Sequence, residues 1–316
     1  MKNLLLFISL IISFFFSCTE KQPINLNKTL FLEDNIYYSI DSKKVYSGEV
    51  FTLYSNGNLQ SQGKLKRGLK HQEWITYNKN EIVFEKLNYH LGKLNGLNIS
   101  YYDDGKPELE IEYIHGERFG STTKYYNNGK IHFVNIYKND ELNGLQTVFT
   151  EKGELKSHLL YDLGDLKKIT EFFSNGNKES EIEYKNELIK HGMQKQYYEN
   201  GTIKLVANFI DNKKHGEVKD YNDNGQLVML RSFKNDQLDG IQKVYYDNGT
   251  SKSDQNFKNG VLNGLQKQYY ENGTLGLSQT YKNGKKDGAY KEYDFNGNLI
   301  EEGIYKNDKL FDYNVF

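Results

Sequence analysis

The chain has 316 residues, with 41 Lys+Arg against 42 Asp+Glu, so its charge supplies no field that would draw nucleic acid. Only 37% of it is hydrophobic, yet 26 Tyr and 18 Phe make it aromatic-rich, and 28 Gly against 2 Pro suit many tight turns. A single cysteine, Cys18, excludes an internal disulfide framework, a redox pair and a Cys-based metal site.

Residues 1–18 read as a targeting segment. Lys2 gives a charged start, residues 4–16 are an unbroken apolar-plus-serine run, and Ser17-Cys18 follows. The run is too short to span a bilayer and has the length of a secretory hydrophobic region. Cys18 stands where a bacterial lipoprotein signal places its lipidated residue, so the segment resembles such a signal, with Phe15 and Phe16 departing from the usual small and aliphatic residues. Residues 19–35 lack a repeat and read as a tether. Residues 36–47 read as an N-terminal capping half-repeat.

From residue 48 the chain keeps a metre. Gly48, Gly96, Gly120, Gly144, Gly192, Gly216, Gly240, Gly264 and Gly288 stand 24 residues or a multiple of 24 apart, with Gln72 and Lys168 in the two gaps. A second series, from Gly57 to Gly297, keeps the same step, with Glu81 in one slot and Gly176 one residue early. Self-similarity at a fixed period decides the architecture. Residues 48–311 divide into eleven such repeats, closed by a strand at 312–316.

Residues 240–263 show how one repeat is built. A first strand ends at Tyr245-Tyr246, Asn248-Gly249 turns the chain, and a second strand returns to Phe257. Asn-Gly between alternating segments is a strong hairpin signal, because both residues tolerate positive φ. Residues 258–264 read as a second connection. Strands this closely spaced leave no room for helices, which predicts an all-β, elongated, single-layer antiparallel meander of tandem hairpins.

Two aromatic columns run with the metre. One holds Tyr77, Tyr101, Tyr125, Phe149, Phe173, Tyr197, Tyr221, Tyr245, Tyr269 and Tyr293; the other runs from Tyr89 to Tyr305, with Tyr184 a residue early. A turn centred on the Asn of Asn-Gly sets Tyr197 opposite Ile203 and Tyr269 opposite Leu275. The same counting sets Phe257 near Leu265 and Tyr137 near Leu145. Both columns are thus expected on one face, around which the sheet curls, with Gln242, Thr250 and Gln266 on a polar face behind. The block 163–191, where both phases slip, is the expected bend or bulge.

The recurring pattern of Tyr-Tyr-x-Asn-Gly, then Tyr/Phe-Lys-Asn-Gly/Asp, then a polar residue and Gly, resembles the variant class of MORN repeats found in bacterial proteins. Many of these carry the name YwqK-like antitoxin, and they often occur on lipoproteins. The resemblance covers about residues 45–310. It implies a protein-interaction scaffold, with membrane association in some eukaryotic members. The inherited alternative is an antitoxin or immunity protein that sequesters a toxin.

Candidate chemistry is sparse. His71, His191 and His215 share the slot before the repeat's Gly, but neighbouring repeats hold them about 9–10 Å apart, too far for one zinc ion. Asn143, Asn263, Asp239 and Asp287 fill that slot elsewhere, so it reads as a turn position. No unrepeated nucleophile–base pair, phosphate loop or dinucleotide fingerprint stands out, so neither catalytic residues, a cofactor nor a metal is expected. A carbohydrate-processing enzyme with an unrecognised site is the reading from another class.

One asymmetry points to binding. Lys195, Lys219, Lys243, Lys267 and Lys291 fill one slot in five consecutive repeats, two residues before Tyr197, Tyr221, Tyr245, Tyr269 and Tyr293. These ten residues would form a Lys-Tyr strip for an anionic or protein partner through charge and cation–π contact. The bland counterpart is that the lysine stems lie over the rings with their ammonium groups in water. The expectation is a non-catalytic scaffold, lipid-anchored at a bacterial cell envelope, at the outer membrane on its periplasmic side or surface.

Overall fold

The structure is a computed structural model that describes residues 21–186 and 188–316. The targeting segment and Cys18 lie outside the described residues. One helical turn, Leu26–Thr29, is the only α-helix among those described, and the rest is strand and turn.

The hairpin chemistry of one repeat explains the others. Lys213–Tyr221 and Leu227–Lys234 pair antiparallel, with Gly216 opposite Phe233, Val218 opposite Arg231, Lys219 opposite Leu230 and Asp220 opposite Met229. Tyr221 then faces Leu227, so the return strand has advanced two residues while its partner advanced one. That extra residue is a β-bulge. It recurs before Tyr245, Tyr269 and Tyr293, and Tyr197 and Tyr269 do face Ile203 and Leu275. The irregularity expected at 163–191 therefore recurs from hairpin to hairpin, as at Leu53, Tyr77, Tyr125 and Phe149.

The bulge corrects the expected faces. An odd insertion shifts the alternation of the returning strand, so the second aromatic column falls opposite the first. Lys219 and Tyr221 share one face with Leu230, here called the lysine face. Val218, Asp220, Arg231 and Phe233 share the other, where Arg231 bonds Asp220 at 2.6 Å and Lys214 lies 5.4 Å over the Phe233 ring. This second face, expected to be the polar outside, holds the buried Gln146, Gln194, Gln266 and Gln279 with Val218 and Ala207. It is called the glutamine face.

The second connection is tighter than expected. Lys258 pairs with Val261 and Phe257 with Leu262, which leaves a two-residue turn at Asn259 (φ 49°) and Gly260 (φ 81°). Phe257 thus meets Leu262, and Tyr137 meets Leu142, instead of Leu265 and Leu145. Leu145 and Leu265 emerge on the lysine face and are more than two-fifths exposed.

In residues 163–191 the whole hairpin comes one residue early. Phe172 pairs with Lys178 as Tyr221 pairs with Leu227, and the Phe173 amide closes the turn on the Asn177 carbonyl. Phe172, not Phe173, therefore belongs to the first aromatic column.

Two compact units divide the chain: residues up to 96 with 103–105, and residues 97–102 with 106–316. In the first, Gly48–Leu53, Leu59–Lys66, Leu69–Tyr77 and Val83–His90 follow one another as antiparallel neighbours. The stretch expected as a tether is folded onto them. Ile24–Asn25 pairs parallel with Val50 and Phe51, and Leu26 and Leu30, one turn apart, enter a core with Val50, Leu65 and Trp74. Gly63 makes room for that core, since a Cβ there would sit 2.3 Å from the Trp74 indole. Residues 24–30 carry three apolar side chains, Ile24, Leu26 and Leu30, and burying them outweighs the freedom of a loose tail.

In the second unit the strands from Pro107–Ile114 to Lys309–Val315 pair antiparallel in chain order, with Glu141–Leu142 and Gly144–Phe149 both on Ile131–Lys138 and Val261–Leu262 and Gly264–Tyr269 both on Ser251–Lys258. The closing strand starts three residues before the expected 312–316. Successive repeats are stapled by side chains. Tyr126 Oη donates to the Phe149 carbonyl at 3.0 Å, and Tyr198, Tyr246 and Tyr270 do the same to Tyr221, Tyr269 and Tyr293. Turn asparagines add a parallel set, such as Asn248 Nδ2 to the Glu271 carbonyl at 2.9 Å.

Candidate binding face

The lysine face of the second unit is built from three adjacent rows, each fixed by alternation along the strands. Lys195, Lys219, Lys243, Lys267 and Lys291 form the middle row, and Tyr197, Tyr221, Tyr245, Tyr269 and Tyr293 stand two residues further on. The slot two residues before the lysine holds Met193, Ile241 and Leu265 in three of the five repeats, all more than two-fifths exposed, and Glu217 and Ala289 in the other two. Sequence reading missed this aliphatic row because it assigned Leu265 to the partner of Phe257.

The lysines are not bare cations. Lys243 bonds Asp254 at 3.2 Å, Lys291 bonds Glu302 at 3.1 Å and Lys219 bonds Glu217 at 2.9 Å. In each case the hydrogen bond to that carboxylate raises the lysine pKa above its ordinary value. Lys243, Asp254 and Lys267 line a shallow hollow of about 200 Å³ together with Ile241, Asn256 and Leu265. The face therefore alternates charge sign and interleaves it with aliphatic surface.

The expected cation–π contacts fall elsewhere. Among the described residues, the cations over rings are not the five strip lysines but others on the same period. Arg118 lies 4.1 Å from the Tyr137 centroid, Lys190 5.9 Å from Phe209 and Lys286 4.8 Å from Tyr305. These rings belong to the second aromatic column, on the glutamine face. Tyr197 of the strip bonds a carboxylate instead, Glu181 at 2.5 Å, as Tyr125 earlier in the same column bonds Glu110 at 3.1 Å.

Glu181 is the densest electrostatic point, and sequence reading did not single it out. Its side chain is 8% exposed and takes Lys168 at 2.7 Å, Lys178 at 2.9 Å and Tyr197. Burial pushes its pKa up, but the hydrogen bonds from Lys168, Tyr197 and Lys178 outweigh burial and bring it down to about 2. Burial and the bond to Glu181 together raise the Tyr197 pKa well above that of a free phenol. The available signal was Lys168 itself, standing at the glycine count of the metre inside the irregular block.

The histidines are dispersed. His132 stacks on Tyr126 with centroids 4.3 Å apart, His71 meets His90 edge-on at 5.4 Å, and His191 lies 3.5 Å from Asp211. Among the described residues no three of His, Cys, Asp and Glu converge as a metal site. No helix among them is long and apolar enough to cross a membrane.

No curated protein matches the chain. Among solved structures it is similar to TcdB2-TccC3-TEV, at 11% identity and a TM-score of 0.20, over 87% of this chain and 16% of that one. It is similar also to the Photorhabdus luminescens Tc holotoxin pore, at 12% identity and a TM-score of 0.17, over 81% of this chain and 15% of that one. TM-scores of this size carry no argument about fold or function. The MORN repeat variant family matches residues 94–115, 167–186, 190–211, 214–235, 238–259, 262–283 and 286–307. The last six of these stretches coincide with bulged hairpins, and the chain is a MORN repeat variant protein.

Proposed function

We propose that the chain is a non-catalytic scaffold, lipid-anchored through Cys18 at a bacterial cell envelope, that docks a protein partner along its lysine face. The observation that carries this reading is the three-row register: exposed Met193, Ile241 and Leu265 stand beside Lys195, Lys243 and Lys267, and the five lysines run beside the five tyrosines. Core-like aliphatic patches rimmed by charges of both signs are what protein interfaces present. A nucleic-acid backbone or a purely anionic surface calls for unpaired cations, whereas Asp254, Glu302 and Glu217 neutralise three of the five here.

The test is co-purification of the full tagged chain from membranes of its own cells. Two variants are compared with it: all five strip lysines changed to Gln, and Met193, Ile241 and Leu265 changed to Ser. A partner lost from both variants supports the reading; a partner set identical in all three forms overturns it. A recovered partner that is a toxin encoded beside this chain makes the scaffold an immunity protein. Labelled palmitate incorporation into the chain, abolished by Cys18→Ser, checks the anchor.

A further inference from the structure

The second tyrosine of the Tyr-Tyr pair has its ring covered by the side chain six residues on. His132 stacks on Tyr126 at 4.3 Å, Lys204 lies 5.5 Å over Tyr198, and Lys252 lies 5.5 Å over Tyr246. At Tyr270 the covering position is Gly276. Its backbone does not adopt the left-handed φ that would call for glycine, and an added Cβ would meet the Tyr270 ring at 3.1 Å. The glycine therefore leaves uncovered the part of the ring that a side chain covers at Tyr126, Tyr198 and Tyr246, while Phe295 meets Tyr270 edge-on at 5.5 Å.

That open ring borders a depression of about 480 Å³ on the glutamine face, lined also by Tyr290, Gln279, Glu292 and Lys286. Gln279 is 1% exposed; its Nε2 donates to the Thr280 carbonyl at 2.8 Å, while its Oε1 has no partner among the described residues. A buried amide oxygen left without a donor is costly unless something supplies one. Tyr290 Oη donates to Glu292 at 2.5 Å, holding that carboxylate at the rim as a second acceptor. Lys286 Nζ, 4.8 Å over the Tyr305 ring, supplies donors from the other side.

We propose that this depression is a saccharide site, taking one neutral pyranose ring with its C–H face on Tyr270. The ring's hydroxyls donate to the Glu292 carboxylate and accept from Lys286, and a turn of the Gln279 amide brings its unpartnered Oε1 to the same ring as a second acceptor. A cationic ligand would also suit acceptors beside aromatic rings, but the Lys286 ammonium in the same hollow opposes it. Nothing in this site depends on the lysine face, so the two readings stand or fall separately.

The full chain is titrated with the methyl pyranosides of glucose, galactose, mannose and N-acetylglucosamine, read by saturation-transfer NMR and calorimetry. At least one is expected to bind saturably, with its ring C–H protons receiving the strongest transfer. Gly276→Lys restores the cover of its sister repeats, and Gln279→Leu installs the side chain that Leu87 and Leu159 provide at the same slot. Each is expected to weaken binding about tenfold or more while the far-ultraviolet circular dichroism is unchanged. Absence of saturable binding by all four glycosides, equal binding by Gly276→Lys, or preferential binding of tetramethylammonium would each overturn the proposal.

Discussion

Lys168, at the glycine count of the metre but paired with Leu160 because its hairpin comes one residue early, reaches the 8%-exposed carboxylate of Glu181 at 2.7 Å. Burial alone would raise the Glu181 pKa, but bonds from Lys168, Tyr197 and Lys178 lower it from 4.5 to about 2. A folded pKa below the unfolded one stabilises the fold above the unfolded value, and that stabilisation fades as pH falls from about 4.5 toward 2. Glu181→Gln is expected to cost on the order of 2 kcal/mol at pH 7, part of it from leaving two lysines facing a neutral amide. Thermal unfolding of both forms between pH 7 and pH 2.5 checks this. The gap should close as the acid limit is approached, and a gap independent of pH would show that Glu181 acts only by packing.

Gln146 and Gln266 act as stand-ins for missing strand. Where the second strand is interrupted, at Glu141–Leu142 and Gly144–Phe149, the Ile136 amide donates to Gln146 Oε1 at 2.6 Å, and Gln146 Nε2 returns a bond to the Ile136 carbonyl at 3.3 Å. Gln266 serves Asn256 in the same way in the repeat interrupted after Leu262. Where the strand is continuous, as in Glu117–Tyr125 and Lys213–Tyr221, the slot holds Thr122 or Val218. Gln146→Leu should therefore cost about 1–2 kcal/mol, the penalty for leaving the buried Ile136 amide without an acceptor, since the Ile136 carbonyl keeps its bond from the Asn143 amide at 2.9 Å. Val218→Leu removes no hydrogen bond and should cost less. Hydrogen exchange at the Ile136 amide reads the difference directly, since that amide alone loses its acceptor.

The N-terminal cap makes a third point. Leu26 and Leu30 are buried against Val50, Leu65 and Trp74. Changing both to Ala should cost about 2 kcal/mol or more for each, by lost apolar burial plus the cavity left behind. Limited proteolysis should then cut within residues 24–53 of the variant and not of the parent chain. Equal resistance would mean that the first repeats hold without their cap.

The metre of 24 residues was legible because Asn-Gly turns and aromatic columns each repeat with a local chemical reason. Its faces were not. The bulge recurring from hairpin to hairpin adds one residue, and one residue is enough to move Phe233 to the side away from Tyr221. No residue type marks that bulge, since Val228 at the extra position is an ordinary strand residue. Gly264 at φ 106° likewise hid a strand interruption behind a position that read as a turn. The candidate face was legible as a lysine row, but its aliphatic neighbours and its carboxylate partners depend on cross-strand register. Glu181 and the open ring of Tyr270 share a different signal: each sits where one slot departs from its sister repeats.

The staples between repeats carry the last prediction. Tyr126, Tyr198, Tyr246 and Tyr270 each donate a hydroxyl hydrogen to a backbone carbonyl one repeat on, 2.8–3.0 Å away. Tyr→Phe at one of them removes the bond and keeps the ring, which should cost about 1 kcal/mol. Tyr126 and Tyr246 lie five repeats apart with no shared partner, so their effects should add in the double variant. In an array with only neighbour contacts, the loss should also stay local. Hydrogen exchange should quicken in residues 120–160 for Tyr126→Phe and in residues 240–280 for Tyr246→Phe, each leaving the other region untouched. Exchange quickening uniformly along the chain would mean that the repeats open as one unit, and that the staples do not mark the boundaries at which they separate.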